Sequence, residues 1–297
     1  MLTTVQDLGR WGWQGDGIPV AGPMDAYSHR LANRLVGNDQ AAAALEVTLI
    51  GPELEAEGEV VCAVTGARFE VAVDGAPVPL DAPFVVRNGG RIRLGSRTSG
   101  ARSTLAFAGG IDVPAIYGSR ATSLAGRVGP FGGRALKAGD VLPIGPVAGR
   151  REGRPGTPLP LPAGGARLRV VVGPHDDMFR PGALDVLCTA RFIVTTSSNR
   201  MGYRLEGPGL EHASLGEILS DATPLGSIQV PPSGQPILLM ADRQTTGGYP
   251  RIATVISADL PLAGQLAPGD WIEFDPTTRR EAIAALERQL AELEVRL

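Results

Sequence analysis

Val60-Val61-Cys62-Ala63-Val64 and Phe69-Glu70-Val71-Ala72-Val73, the second running straight into Asp74-Gly75, decide the fold class of this chain. Short apolar runs rich in β-branched residues, closed by a dipeptide that tolerates positive φ, are strand and turn signals. The pattern returns at Phe84-Val85-Val86 before Asn88-Gly89, at Arg91-Ile92-Arg93-Leu94 and at Leu168-Arg169-Val170-Val171-Val172. Forty glycines and 25 prolines punctuate these runs without forming a dominant low-complexity tract. Many short strands with frequent turns predict a mostly-β barrel or sandwich with few helices.

Two helices stand out against that background. Asp25 is a candidate N-cap, with Tyr27, Leu31 and Leu35 on one face and Gly37 as the stop. A C-terminal helix over 277–297 starts at a Thr278/Glu281 capping box. Ile283, Leu286, Leu290, Leu293 and Leu297 then form a short a/d seam, suited to its own barrel or to a partner.

The length of 297 residues suggests two domains at roughly 150 residues each. Gly and Pro crowd the stretch between Gly145 and Gly165, which reads as a linker over 148–165 between β units at 1–147 and 166–276. An internal echo supports the division. Leu136-Lys137-Ala138-Gly139-Asp140 and Leu266-Ala267-Pro268-Gly269-Asp270 each lead into an alternating segment ending in proline, at Pro146 and Pro276. Two related β units side by side would create a cleft.

Composition removes several chemistries. A net charge of −3 argues against an electrostatic grip on nucleic acid. No apolar stretch approaches the roughly 18 residues of a membrane span, and the opening residues lack signal-peptide character, so a cytoplasmic protein is expected. Cys62 and Cys188 cannot build a disulfide framework, and His29, His175 and His212 lack zinc-site spacing. Lys137 is the only lysine, which leaves no phosphate-binding P-loop, no Schiff-base lysine and no biotin attachment context. No serine lies in a GxSxG setting. Bound anions would have to be held by arginine and backbone N–H groups.

The polar residues cluster. The apolar run Ile237-Leu238-Leu239-Met240 leads into Ala241-Asp242-Arg243-Gln244-Thr245-Thr246-Gly247-Gly248-Tyr249-Pro250-Arg251, where glycines permit close backbone approach and the side chains offer donors for a carboxylate, amide or phosphate. A second cluster is Ser197-Ser198-Asn199-Arg200-Met201-Gly202-Tyr203-Arg204. His175 beside Asp176 and Asp177 could handle protons. Gly22-Pro23-Met24-Asp25 places a carboxylate and backbone N–H groups at a helix start.

Those strings carry a resemblance. Thr3-Thr4-Val5-Gln6-Asp7-Leu8-Gly9-Arg10-Trp11-Gly12 with Gly22-Pro23-Met24-Asp25, Ser198–Gly207, Gly226–Pro236 and Asp242–Pro250 resemble the C subunit of bacterial 5-oxoprolinase. This is also the KipA-like or allophanate-hydrolase-subunit-2-like family, related to the second half of urea carboxylase's carboxyltransferase domain. Relatives usually carry a short lead forming a first strand before the position of Thr3, two glycines where this chain has Ala21-Gly22, and a small residue in place of Pro23.

The resemblance implies two cyclophilin-like β-barrel units and ATP-dependent opening of 5-oxo-L-proline to L-glutamate. It also implies two partners, resembling the A and B subunits of 5-oxoprolinase, the second of them KipI-like. ATP, with Mg, would be shared with those partners. Its site residues map to Arg200, Tyr203, Arg204, Arg243, Gln244, Thr245, Gly247 and Gly248 for substrate binding, and to Asp25, His175 and Tyr249 for catalysis. Arg200, Arg204, Thr245 and the glycine N–H groups would take the carboxylate and developing oxyanion, Tyr203 and Tyr249 would wall the pocket, and His175 or Asp25 would relay a proton. The alternatives are a carboxyltransferase component of a biotin-dependent urea or amide carboxylase and a KipA-like regulator that binds a kinase-inhibitor relative of the B subunit. No biotin is expected on this chain itself.

Overall fold

Asp74 and Gly75 adopt φ of +51° and +83° and turn the chain between two antiparallel strands, as a two-residue hairpin loop requires. The computed structural model describes residues 2–147, 157–213 and 217–294. They fall into two units, Met1–Trp11 with Ala21–Leu161, and Gly12–Val20 with Pro162–Leu297. Residues 148–156 of the expected linker lie outside the described residues, as does Leu297 of the expected seam.

The first unit holds β1 (Leu2–Gln6), α1 (Ala26–Leu35), β2 (Ala44–Thr48), β3 (Glu53–Glu55), β4 (Val60–Val73), β5 (Ala76–Pro77), β6 (Pro83–Val86), β7 (Arg91–Phe107) and the turn α2 (Pro130–Gly133). Its seven strands form one sheet around β4 and β7. The separate runs Val60–Val64 and Phe69–Val73 are a single 14-residue strand, because Gly66 at φ +88° and the register shifts from Gly66 to Val71 absorb the polar middle as bulges. Asn88-Gly89 joins β6 to β7, but those strands pair with β4 rather than with each other, so this turn closes no hairpin.

One sheet face carries the apolar core, including Val5, Leu45, Val64, Leu105 and Phe107. The other face is polar yet buried. Thr4, Glu46, Thr104 and Thr65 form one row across four strands. Helix α1 packs against this part of the sheet. Met24 N–H donates to Glu46 Oε2 at 2.7 Å, and Thr65 Oγ1 donates to the Ser28 carbonyl at 2.6 Å. Those bonds satisfy groups that burial would otherwise penalise.

The second unit holds β8 (Gly165–Val172), α3 (Ala183–Thr189), β9 (Phe192–Val194), β10 (Gly202–Glu206), β11 (Asp221–Ala222), β12 (Ser227–Gln229), β13 (Ile237–Leu239), β14 (Thr246–Gly247), β15 (Arg251–Val255), α4 (Leu260–Gly264), β16 (Trp271–Pro276) and α5 (Arg279–Glu294). Seven of its strands close a barrel in the order β10-β13-β12-β15-β8-β16-β9. Leu168, Phe192, Tyr203, Ile228, Leu238 and Phe274 are fully buried in it. The remaining two strands, β11 and β14, form a separate ribbon. The molecule is therefore mostly β with few helices.

The repeated Gly-Asp turns are built alike. Asp140 Oδ2 accepts from Lys137 N–H at 2.7 Å, and Asp270 Oδ2 accepts from Ala267 N–H at 2.8 Å, with Gly139 and Gly269 at φ +87° and +95°. The sequels differ. Trp271–Pro276 is a strand, whereas the segment after Asp140 makes only an isolated bridge between Ile144 and Ile111. Pro143 and Pro146 remove the amide donors that a ladder there would need.

Helix α5 begins at its capping box, with Thr278 N–H to Glu281 Oε2 at 2.9 Å and Glu281 N–H to Thr278 Oγ1 at 3.2 Å. Ala282 and Ala285 pack with Ile256, Ala258 and Val171, and Gln289 donates to the Ala258 carbonyl at 2.9 Å. The helix thus docks on its own unit through a face that takes in Leu293 of the a/d seam but leaves Ile283 and Leu290 exposed. Among the described residues no helix is long and apolar enough to cross a membrane.

Candidate functional site

The ribbon β11–β14 gathers the densest polar side chains of the second unit. Asp221 pairs with Gly247 and Ala222 with Thr246. Thr223 N–H extends the ladder to the Thr245 carbonyl at 3.0 Å, and Thr223 Oγ1 donates to the Gln244 carbonyl. Barrel residue Gln229 lies against this ribbon. Its Nε2 donates to the Tyr249 carbonyl at 3.3 Å and its Oε1 accepts from Gln244 Nε2 at 3.1 Å. Gly247 lets the two amides close over the ribbon, since a Cβ would stand 2.8 Å from Gln229 Nε2 and 3.2 Å from Gln244 Nε2 and would push them aside. Gly248 presents its carbonyl to Ile218 N–H at 2.9 Å.

Two arginines flank the same short stretch. Arg243 Nε donates to the Thr223 carbonyl at 2.7 Å, and the residue is buried. No carboxylate pairs with it among the described residues, and burial pushes its guanidinium down to about 10. Arg251 donates through Nη1 to the neighbouring Ala222 carbonyl and through Nη2 to Asp221 Oδ2. The Ala222 N–H first, and then the Arg251 charge, hold the Asp221 carboxyl below its usual range. His175 Nδ1 accepts from Arg251 N–H at 3.3 Å, so its Nε2 carries the proton of the neutral ring. Arg243, Gln244, Thr245, Gly247, Gly248 and His175 are thus linked into one neighbourhood, in which Arg251 pairs with Asp221 while Arg243 is held by the Thr223 carbonyl. The excess of guanidinium over carboxylate there suits an anion.

Other expected residues lie elsewhere. The guanidinium of Arg200 is engaged by Asp242, Nη2 to Oδ1 at 3.0 Å and Nε to Oδ2 at 3.2 Å, so it is not presented to a substrate carboxylate. Tyr203 does not wall a pocket: it points into the barrel at 1% exposure, with its hydroxyl donating to the Leu266 carbonyl at 3.3 Å. Arg204, one position along the strand, is exposed on the opposite side. Tyr249 is partly exposed and reaches the cluster through its carbonyl. Asp25, in the first unit, is the cap of α1, accepting from Ser28 N–H at 2.8 Å and Ser28 Oγ at 2.6 Å. A separate shallow cavity of about 330 Å³ is lined by Arg180, Leu210, Glu211, His212 and Ser233, none of them an expected site residue.

Residues 16–276 match the family described as carboxyltransferase domain, subdomain A and B. The chain belongs to this carboxyltransferase family. It is 41% identical to the 5-oxoprolinase C subunit of Escherichia coli (strain K12) over 97% of its own length and 93% of the relative's. It is 36% identical to urea amidolyase of Saccharomyces cerevisiae over 97% of its length, but spans only 17% of that protein. The crystal structure of K. lactis urea amidolyase superposes with a TM-score of 0.93 at 33% identity, covering 99% of this chain and 19% of that one.

Within this carboxyltransferase-family chain, Asp221, Thr223, Gln229 and Arg251 also belong to the candidate neighbourhood, though sequence reasoning did not select them. Gln229 and Arg251 stood inside or beside quoted motifs. Asp221 and Thr223 belong to a stretch without periodicity, and only the ribbon pairing brings them to the loop. The thiols offer no alternative chemistry. Burial pushes Cys62 up to about 12, and burial, then Asp185 and Asp275, also raise Cys188.

Proposed function

We propose that this chain is the C subunit of a cytoplasmic 5-oxoprolinase, which opens 5-oxo-L-proline to L-glutamate at the expense of ATP together with its A and B subunits. The observation that carries this function is the end-to-end match to a 5-oxoprolinase C subunit, over 97% of this chain and 93% of the relative. Its own contribution is to bind and orient the substrate. Arg243, whose guanidinium has no carboxylate partner among the described residues, takes the substrate carboxylate, replacing Arg200 in the role first expected of it. The Gln229–Gln244 amide pair faces the polar edge of the lactam, and His175 presents a proton at Nε2.

ATP supplies the driving force that lactam opening needs. The arginine ribbon suits anionic groups, but among the described residues no three His, Cys, Asp or Glu side chains gather to hold a metal ion. In this reading ATP, with Mg, binds at a site shared with the two partner proteins. The test mixes the verified three-component complex with ATP and 5-oxoproline and measures glutamate, and its absence overturns the proposal. In that assay Arg243→Gln should raise KM for 5-oxoproline by about tenfold or more, the scale of one charge-assisted contact.

A second reading is favoured by the TM-score of 0.93 with urea amidolyase: one half of a biotin-dependent carboxyltransferase. Carboxyl transfer from a biotinylated carrier protein, with no glutamate formed, would select it.

A further inference from the structure

Arg251 is a buried cation with one edge unused. The residue is 7% exposed, its Nη1 and Nη2 are held by the Ala222 carbonyl and Asp221, and its Nε is buried without a hydrogen-bond partner. An orphaned donor on a buried charge is costly and calls for an acceptor. A carboxylate binds arginine best in a fork, two oxygens on two nitrogens. Asp221 does not form that fork. Anchored on a two-residue strand, with its side chain 53% exposed, it reaches Nη2 and leaves Nε empty.

We propose that Asp221 is an internal counter-anion, which a carboxylate ligand displaces from Arg251 by taking Nε and Nη2 together. This presupposes the substrate site described above and adds a second anion position to it. Arg251 then completes carboxylate recognition beside Arg243, and Asp221 weakens binding by competing for the same guanidinium. Because Asp221 is half-exposed and outside the barrel ladder, its removal leaves the fold intact.

The test titrates the full-length chain with 5-oxo-L-proline, with its neutral carboxamide and with acetate, following ligand signals by NMR. Asp221→Asn should bind both carboxylates about fivefold more tightly than the unaltered chain, the scale of one relieved half-exposed ion pair, and leave the carboxamide unchanged. Adding Arg251→Lys, which keeps the charge and loses the fork, should erase the gain. Equal or weaker carboxylate binding by Asp221→Asn overturns the proposal, as does equal tightening of the carboxamide or no carboxylate binding to either chain. If acetate tightens but 5-oxoproline binds neither chain, the displacement stands and the 5-oxoproline assignment falls.

Discussion

Arg200 and Asp242 form a buried ion pair, with their side chains 4% and 1% exposed and both carboxylate oxygens within 3.2 Å of the guanidinium. Asp242 N–H also donates to the Arg200 carbonyl at 2.8 Å, so backbone and side chains tie the same two positions. Removing one partner strands the other charge. Arg200→Ala should cost about 3–5 kcal/mol in chemical denaturation. A variant that folds as well as the parent yet loses substrate binding would contradict this structural role.

Gly247→Ala tests the packing of the ribbon. The added methyl meets amide ends rather than backbone, so the clash is relieved by moving Gln229 and Gln244. The expected cost in stability is about 1 kcal/mol, with the Gln244–Gln229 hydrogen bond broken. Substrate affinity should fall while the melting transition shifts by only a few degrees.

His29 gives the pH dependence. Burial pushes its imidazole from 6.5 down to about 4, with nearby Asp7 opposing. The unfolded chain therefore binds the proton more readily, and stability rises with pH across this window. The contribution, on the order of 3 kcal/mol, is complete above about pH 6.5 and is lost as pH falls through about 4. His29→Gln should flatten the denaturation free energy between those limits relative to the parent.

Ala21 sits at φ +57°, in the left-handed region that glycine adopts without strain. A Cβ in the left-handed region costs about 1–2 kcal/mol, partly offset by the greater unfolded-state freedom of glycine. Ala21→Gly should stabilise the chain by about 0.5–1 kcal/mol, visible as a higher melting temperature. A lower one would mean that the Ala21 methyl contributes packing that outweighs its strain.

Local chemistry was the legible part. The Asp25 cap, the Thr278/Glu281 box, the Asp74-Gly75 turn and the paired Gly-Asp turns need only neighbours in sequence, and each forms as expected. Long-range pairing was not. Asp242 stands 42 positions from Arg200, so its neutralisation of that guanidinium left no local trace. Tyr203 is instructive because the signal existed. Gly202-Tyr203-Arg204-Leu205-Glu206 alternates, and that period alone sends Tyr203 and Leu205 inward and Arg204 outward. Arg251 carried no such signal, since its meaning depends on a two-residue strand beginning at Asp221.

The turn closed by Asp140 has a practical consequence. It presents Lys137, the only lysine in the sequence, on an exposed bend that Arg134 braces through both carboxylate oxygens of Asp140. Apart from the α-amine, amine-reactive labels and surface-coupling reagents have a single point of attachment. The protein can therefore be tethered or tagged in one defined orientation, and a lysine-specific protease has one bond to cut.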